Sequence, residues 1–376
     1  MNWPPGLRRL ASHAPLVTAL VLGTLSLVNL TLGTLATLSW GSGSDFREPY
    51  AAATIGLTYG WDRIYDVDLQ RTAESMISAR QVFEPYFNPP VLAWICAPLA
   101  KLPFLVSFTI WVVLEAICLA VAVRLIAGKE WRPILLYAGS VLAVLPLALA
   151  IAFGQPVMVV ALGLVSCWWL NREGHPVWAG VALAAIDIKP QLALVVPIAM
   201  FVAGYWRPAI AWAAVSIVLA VASLASLGVH GTSAYLSLLS TGQTYLADTP
   251  RWSPAGLIGG PLGMATEAIL VIAGFTAIWR CRAAGPEAPM AIGCLLSLLV
   301  TPYLHNSDLI TGVIAVWLLH RARLPELPDA AVGLLWIAVA IGTQFPAVLL
   351  VADAFLFGRL AGLWWPPRAR PANSPA

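Results

Sequence analysis

Apolar runs long enough to cross a bilayer recur along almost the whole chain, and only residues 41–103 break them with sustained charge. This pattern decides the class. A soluble domain carries about 25% charged residues. Here the share is 10%, against 60% hydrophobic, in 376 residues. A water-soluble globule of this composition would show a mostly apolar surface. The chain is therefore read as an all-α polytopic membrane protein, because helices satisfy their own backbone polar groups in lipid.

A span needs about 20 apolar residues. Spans are expected near 14–40, 104–126, 133–152, 156–170, 176–188, 190–205, 208–228, 262–280, 288–303, 307–320 and 329–345. A further one over 346–366, interrupted by Asp353 and Arg359, gives eleven or twelve transmembrane helices. Arg8 and Arg9 precede the first run, which is longer than a signal-peptide core and shows no convincing cleavage site. It reads as an uncleaved helix with its start in the cytoplasm. Residues 1–366 are expected to form one integral membrane domain, and the Pro-rich 367–376 a disordered tail.

The net charge of +3 gives no electrostatic footprint for nucleic acid. The five cysteines (96, 118, 167, 281 and 294) form no C-x-x-C pair and lie mostly in apolar runs. They read as small hydrophobes, so no metal, cofactor or disulfide framework is expected.

The element Pro89–Pro103 is apolar but too short for an ordinary span. If it lies on the interface without crossing, Arg124, Lys129, Arg132, Arg172, Arg207, Arg280, Arg282, Arg321 and Arg323 share a side with Arg8 and Arg9. The turns at 152–155 and 303–306, without Lys or Arg, then fall opposite. The positive-inside rule favours that arrangement. Segment 41–103 becomes a long first extracytoplasmic loop carrying interfacial helices, and 229–256 a second outer loop. Within 41–103, Tyr50, Ala53, Leu57, Trp61 and Ile64 recur at helical spacing, as in an amphipathic helix on the membrane.

Of 18 acidic residues, seven fall in that segment: Asp45, Glu48, Asp62, Asp66, Asp68, Glu74 and Glu84. Asp45 follows the first span, where a carboxylate can take a proton from a hydroxyl nucleophile. Asp45-x-x-Glu48 before Pro49 is also the pattern of a helix cap. Lys189, in Asp187-Ile-Lys189-Pro190-Gln191, sits at a helix break, suited to an anionic headgroup. It also suits a lysine snorkelling to the interface. His305, with Asn306 and Asp308, lies in a polar turn that can bind phosphate or sugar hydroxyls, or simply cap the next helix. Gln155, in Gly154-Gln155-Pro156, can bond a sugar or be an ordinary turn residue. Arg251 and Trp252 offer a phosphate contact and a stacking surface, though no spacing singles them out. Glu115 and Glu267 lie within apolar runs and are expected to face the bundle or an interface.

Asp45-Phe-x-x-x-Tyr50, Asn88-Pro89-Pro90, Pro98-Leu-Ala-Lys-Leu-Pro103, Gly154-Gln155-Pro156, Ala179-Gly180, Ile188-Lys189-Pro190-Gln191 and the His305 turn occur in this order. Together they resemble glycosyltransferase family 87, within the membrane-embedded GT-C class. The family includes polyprenyl-phosphomannose-dependent mannosyltransferases of phosphatidylinositol mannosides, and related arabinofuranosyltransferases. The resemblance implies a GT-C-like bundle, with Asp45 as catalytic base and His305 near the donor phosphate. Lys189 and Arg251 are expected as further phosphate contacts. Glu48, Tyr50, Asn88, Gln155, Gln191 and Asn306 are expected around the substrate. The short chain and compact loop after the seventh span depart from the family.

The expected activity is inverting transfer of a sugar, mannose first, from a polyprenyl-phosphate donor to a lipid or glycan acceptor of the cell envelope. It would take place on the outer face of the plasma membrane. The alternative is a transporter or flippase of a lipid-linked or anionic substrate, built around the Lys189 break, Glu115 and Glu267.

Overall fold

The structure is a computed structural model that describes residues 5–40, 43–77, 83–245, 252–301, 304–342 and 344–363. The expected tail at 367–376 lies outside these. Among the described residues there are seventeen α-helices and no strand. The helix α1 (Pro5–Trp40) is followed by three short helices of the polar segment: α2 (Arg47–Tyr59), α3 (Val67–Ile77) and α4 (Pro90–Cys96). Then come α5 (Phe104–Ala127), α6 (Trp131–Leu142), α7 (Leu145–Phe153), α8 (Val157–Arg172), α9 (Pro176–Leu183) and α10 (Val195–Val202). The chain continues through α11 (Trp206–Tyr245), α12 (Pro254–Ile258), α13 (Gly260–Cys281) and α14 (Glu287–Val300). It ends with α15 (Ile310–Ala322), α16 (Asp329–Ile341) and α17 (Pro346–Leu360).

Each expected apolar run contains helix, and the protein is a multi-pass membrane protein. Fewer helices than eleven or twelve meet the length of a span. By length and composition α1, α5, α11 and α13 can cross a membrane, and the bent pair α6–α7 adds a fifth if counted as one. The remaining apolar helices are shorter because proline and glycine interrupt the runs. The stretch expected as a single span over 133–152 shows how. Val144 is extended (φ −109°, ψ 136°), Pro146 opens α7, and the two helices diverge by 70°. A proline lacks the N–H that a continuing helix would use. The amide Nδ2 of Asn29 in α1 donates to the Ala143 carbonyl at the break, at 2.7 Å.

The described chain groups into two compact units. The first takes residues up to Leu162, then 218–248 and 306–310; the second takes the rest. In the first, α1 packs on α6 and α7, α5 on α6, and α2 on α3 and α4. In the second, α14 is the buried centre, covered by α10 and α13, with α17 on α13 and α16 on α17. Gly293 permits the close approach of α10 to α14: a Cβ there would lie 2.9 Å from the Val196 Cα.

Two expectations for the polar segments need correction. The stripe Tyr50–Ala53–Leu57–Trp61–Ile64 is not one helical face. Gly60 takes φ 108° and ends α2, and Trp61 starts a short 3-10 turn. The buried face of α2 includes Arg47, Ala52, Ala53 and Ile55, while Leu57 is exposed. The outer loop expected after residue 228 is instead helical as far as Tyr245. Gly228 (φ 58°, ψ −165°) kinks α11, and the helix resumes beyond it. That second half docks on the polar segment. A Cβ at Gly231 would sit 2.7 Å from the Asp62 carbonyl oxygen, and the Tyr235 ring stacks on Tyr65 at 4.3 Å.

Candidate active site

The site in the first unit begins with the end of a helix. The last carbonyls of an α-helix have no partner within it. At α7 those of Ala152 and Phe153 are taken by the turn that precedes α2. Gly43 N–H donates to Ala152 at 2.9 Å, and the N–H groups of Asp45 and Phe46 both donate to Phe153, at 3.1 and 3.0 Å. Gly154 closes α7 in the left-handed region (φ 77°, ψ 34°). Its would-be Cβ lies 2.7 Å from the Phe46 Cβ, so glycine is required by conformation and by space. The Phe46 ring stacks on Trp111 of α5 at 5.4 Å.

This docking delivers Asp45 to Gln155. The Gln155 Nε2 donates to Asp45 Oδ2, and the Ser44 hydroxyl donates to Oδ1 at 2.7 Å. Asp45 stays partly exposed while Gln155 is buried. The capping role that sequence allowed for Asp45 is not adopted. The residue before α2 is Phe46, itself in helical conformation, and no side chain caps the helix. Conversely, Gln155 is more than a turn residue.

Two more carboxylates converge on Asp45. Carboxylate oxygens of Asp45, Glu48 and Glu84 lie within 4.8 Å of one another. Carboxylate oxygens are the ligand type a hard divalent cation takes, so these three could hold one with other oxygens completing its shell. Nothing in the local spacing of Glu84 links it to Asp45, and it is the fold that brings the two together. Behind this cluster Arg47 and Glu74 form a buried ion pair, Nε to Oε2 at 3.1 Å. Burial, opposed by the Arg47 charge, pushes the Glu74 carboxyl up to about 7.

Other expected site residues in this unit have structural ties. The Tyr50 hydroxyl donates to the Leu102 carbonyl at 2.7 Å. The Asn88 carbonyl accepts from the Tyr65 hydroxyl at 2.7 Å. Asn306 is exposed on a 3-10 turn, Asn306–Leu309, that packs against α7. Glu115 faces inward, 1% exposed, and its Oε2 accepts the Met158 N–H of α8 at 2.9 Å. Trp111, one turn earlier on α5, donates from Nε1 to the Gly154 carbonyl at 2.9 Å.

The second unit holds Lys189, Gln191 and His305. Lys189 lies between two 3-10 turns and is only 2% exposed, so it does not snorkel to the surface. Its neighbours fix the break. Asp187 accepts from Trp212 Nε1 at 3.2 Å and Ser216 Oγ at 2.7 Å. The Gln191 carbonyl accepts from Thr301 Oγ1 at 3.0 Å. His305, four residues beyond Thr301, is half-buried. Arg251 lies outside the described residues. Glu267 accepts from the Ala255 N–H at 3.2 Å, a local tie between α12 and α13.

No curated protein and no solved structure matches the chain. A family model does, over residues 86–302, more than half of its length. The match takes in Asn88, Gln155, Lys189, Gln191 and Arg251, while Asp45, Glu48, Tyr50, His305 and Asn306 lie outside it. An apolar, all-helical chain matched over that length belongs to glycosyltransferase family 87 and is a membrane glycosyltransferase.

Proposed function

We propose that this glycosyltransferase moves a sugar, mannose in the first instance, from a polyprenyl-phosphate donor to a hydroxyl of a lipid or glycan acceptor, with inversion. Asp45 takes the acceptor proton as the acceptor oxygen forms its bond to the anomeric carbon. The bond from that carbon to the phosphate oxygen breaks, and its electron pair leaves with polyprenyl phosphate. The transition state is oxocarbenium-like, as in glycoside hydrolysis. Lys189, His305 and Arg251 are assigned to the phosphate on chemical grounds, as groups that stabilise the leaving charge. Glu48, Tyr50, Asn88, Gln155, Gln191 and Asn306 are assigned to the substrates. The distribution of arginines supports a site on the extracytoplasmic face of the plasma membrane.

One observation carries the reading. Asp45, in the segment that follows the first helix, is oriented by Gln155 and Ser44 and open enough to meet a substrate. The test is transfer from radiolabelled polyprenyl-phosphomannose to a host lipid extract, by purified wild-type protein and Asp45→Asn side by side. Labelled product from wild type alone supports the base. Product from both removes Asp45 from that role. Absence of product from both rejects this donor, and polyprenyl-phosphoarabinose is then tried.

A monophosphate leaving group next to fixed cations has less need of a metal than a nucleotide diphosphate. Chelation with EDTA is therefore expected to leave transfer intact. Loss of transfer, restored by Mg²⁺ or Mn²⁺, would assign Asp45, Glu48 and Glu84 to a cation instead. The transport alternative draws on the buried Lys189 at a helix break. It predicts that substrate movement survives Asp45→Asn and is lost in Lys189→Gln, the reverse of the ranking expected for the enzyme.

A further inference from the structure

We infer that Glu115, together with Trp111, is a positioning residue that acts on Asp45 through the Gly154–Gln155–Pro156 turn; the inference rests on Asp45 being the base. The two side chains are four residues apart on α5 and so share a face, about 6 Å apart along the axis. Trp111 holds the carbonyl of Gly154, just before Gln155. Glu115 holds the N–H of Met158, just after Pro156. Gln155 is thus fixed from both sides by one rigid helix.

The chemistry of each contact explains why these residue types are used. The first N–H groups of α8 have no acceptor within their own helix. Pro156 and the apolar surroundings leave few substitutes for them. The Glu115 Oε2 supplies one acceptor there. The indole N–H of Trp111 takes a carbonyl at the left-handed C-terminus of α7, while its ring carries Phe46, the neighbour of Asp45. Both ends of the 45–155 contact are therefore referred to α5. A base needs one lone pair held toward the acceptor hydroxyl, and a misplacement of about 1 Å can cost on the order of 100-fold in rate.

A purely structural cap and a positioning residue differ in what they move. A cap changes the yield or melting temperature of the folded protein and leaves kcat per folded molecule alone. The positioning role predicts that Glu115→Leu, which removes the acceptor of the Met158 N–H, lowers kcat by about tenfold, with KM for the polyprenyl-phosphate donor within about twofold, as expected when only transition-state interactions are lost. Glu115→Gln keeps a carbonyl acceptor for that N–H and should retain most of kcat. Trp111→Phe keeps an aromatic ring and removes the N–H, and should lower kcat in the same sense by less than Glu115→Leu. Amide exchange across residues 155–159 should speed up in Glu115→Leu.

The deciding experiment is a double-mutant cycle with Gln155→Ala, using the donor that wild-type protein turns over and kcat per folded molecule as the readout. If Glu115 acts through Gln155, its effect on kcat is absent in the Gln155→Ala background. Full multiplication of the two effects, or an unchanged kcat in Glu115→Leu, overturns the positioning role while an inactive Asp45→Asn keeps the base. Turnover by Asp45→Asn overturns both. Should Glu115→Leu fail to fold, the Trp111→Phe and Gln155→Ala cycle carries the same test.

Discussion

Asp45 and Glu74 belong to the same acidic segment and would look alike in any count of charges, yet the fold treats them in opposite ways. Glu74 is 3% exposed and faces the Arg47 guanidinium. Asp45 is half-exposed, held by an amide and a hydroxyl, with two further carboxylates beside it. A buried carboxylate next to a buried cation is fixed in place and closed to substrate. A carboxylate held by neutral donors keeps free lone pairs and an open side. Within this segment, then, the opposite charge goes with a closed carboxylate and the neutral donors with an open one.

Exchanging the two losses breaks or sharpens this contrast most directly. Asp45→Asn should reduce transfer by ~10³-fold, within the span that a positioned base contributes, with melting temperature and donor binding unchanged. Glu74→Ala should do the reverse. It removes the carboxylate that faces the buried Arg47, a loss on the order of 3–5 kcal/mol, while the transfer rate per folded molecule stays within a few-fold. Measured kcat and detergent-solution melting curves for both variants decide the matter. A stable, active Asp45→Asn or a stable Glu74→Ala ends the contrast.

The next effect reaches Asp45 through the backbone. Gly154→Ala meets two obstacles, a positive φ and the Phe46 Cβ 2.7 Å away. Left-handed strain alone costs about 1–3 kcal/mol. The expected result is a tenfold or larger fall in kcat, with donor KM little changed, because the turn that presents Gln155 must move. The matching control is Gly128→Ala, which has a positive φ but open space around it. It should lose stability and keep its rate. Equal kcat for the two alanine variants would show that the turn does not serve the site.

How much of this was legible in the sequence depends on the range of the signal. Local signals succeeded: apolar runs gave the helices, and short motifs gave the family. Pro146 lies within the run over 133–152, but apolar length alone reads that run as one span and does not reveal the 70° bend. The stripe on α2 failed for a related reason, since Gly60 ended the helix before the period could close. Pairings across the chain carried no local mark. Gln155 is 110 residues from Asp45, and Glu115 is 43 from Met158. Lys189 looked equally suited to a snorkelling role because burial is decided by what packs over a break, which a single run of sequence does not encode.

The smallest expected effect separates the two carboxylates by pH. Burial outweighs Arg47 and lifts the Glu74 carboxyl from its ordinary 4.5 to about 7. The unfolded chain releases that proton near 4.5 and the folded chain retains it to about 7, so the stability it contributes is full below 4.5 and is lost as pH rises through 7. Asp66 works the other way. Burial raises it, but hydrogen bonds from Arg63 and the Leu69 and Asp68 N–H groups outweigh that and lower it. Its contribution is present above the ordinary 3.8 and is lost at lower pH, outside the Glu74 window. Melting temperatures of wild type and Glu74→Gln between pH 4.5 and 7.5 isolate the difference. The wild type should lose a few °C relative to the variant as pH rises across that range, roughly 2–4 °C for each kcal/mol. The transfer rate of Glu74→Gln, measured over the same range, should follow that of wild type, as the assignment of the base to Asp45 predicts. Parallel melting curves would deny Glu74 its raised affinity for the proton, and a displaced rate profile would bring Glu74 into the chemistry.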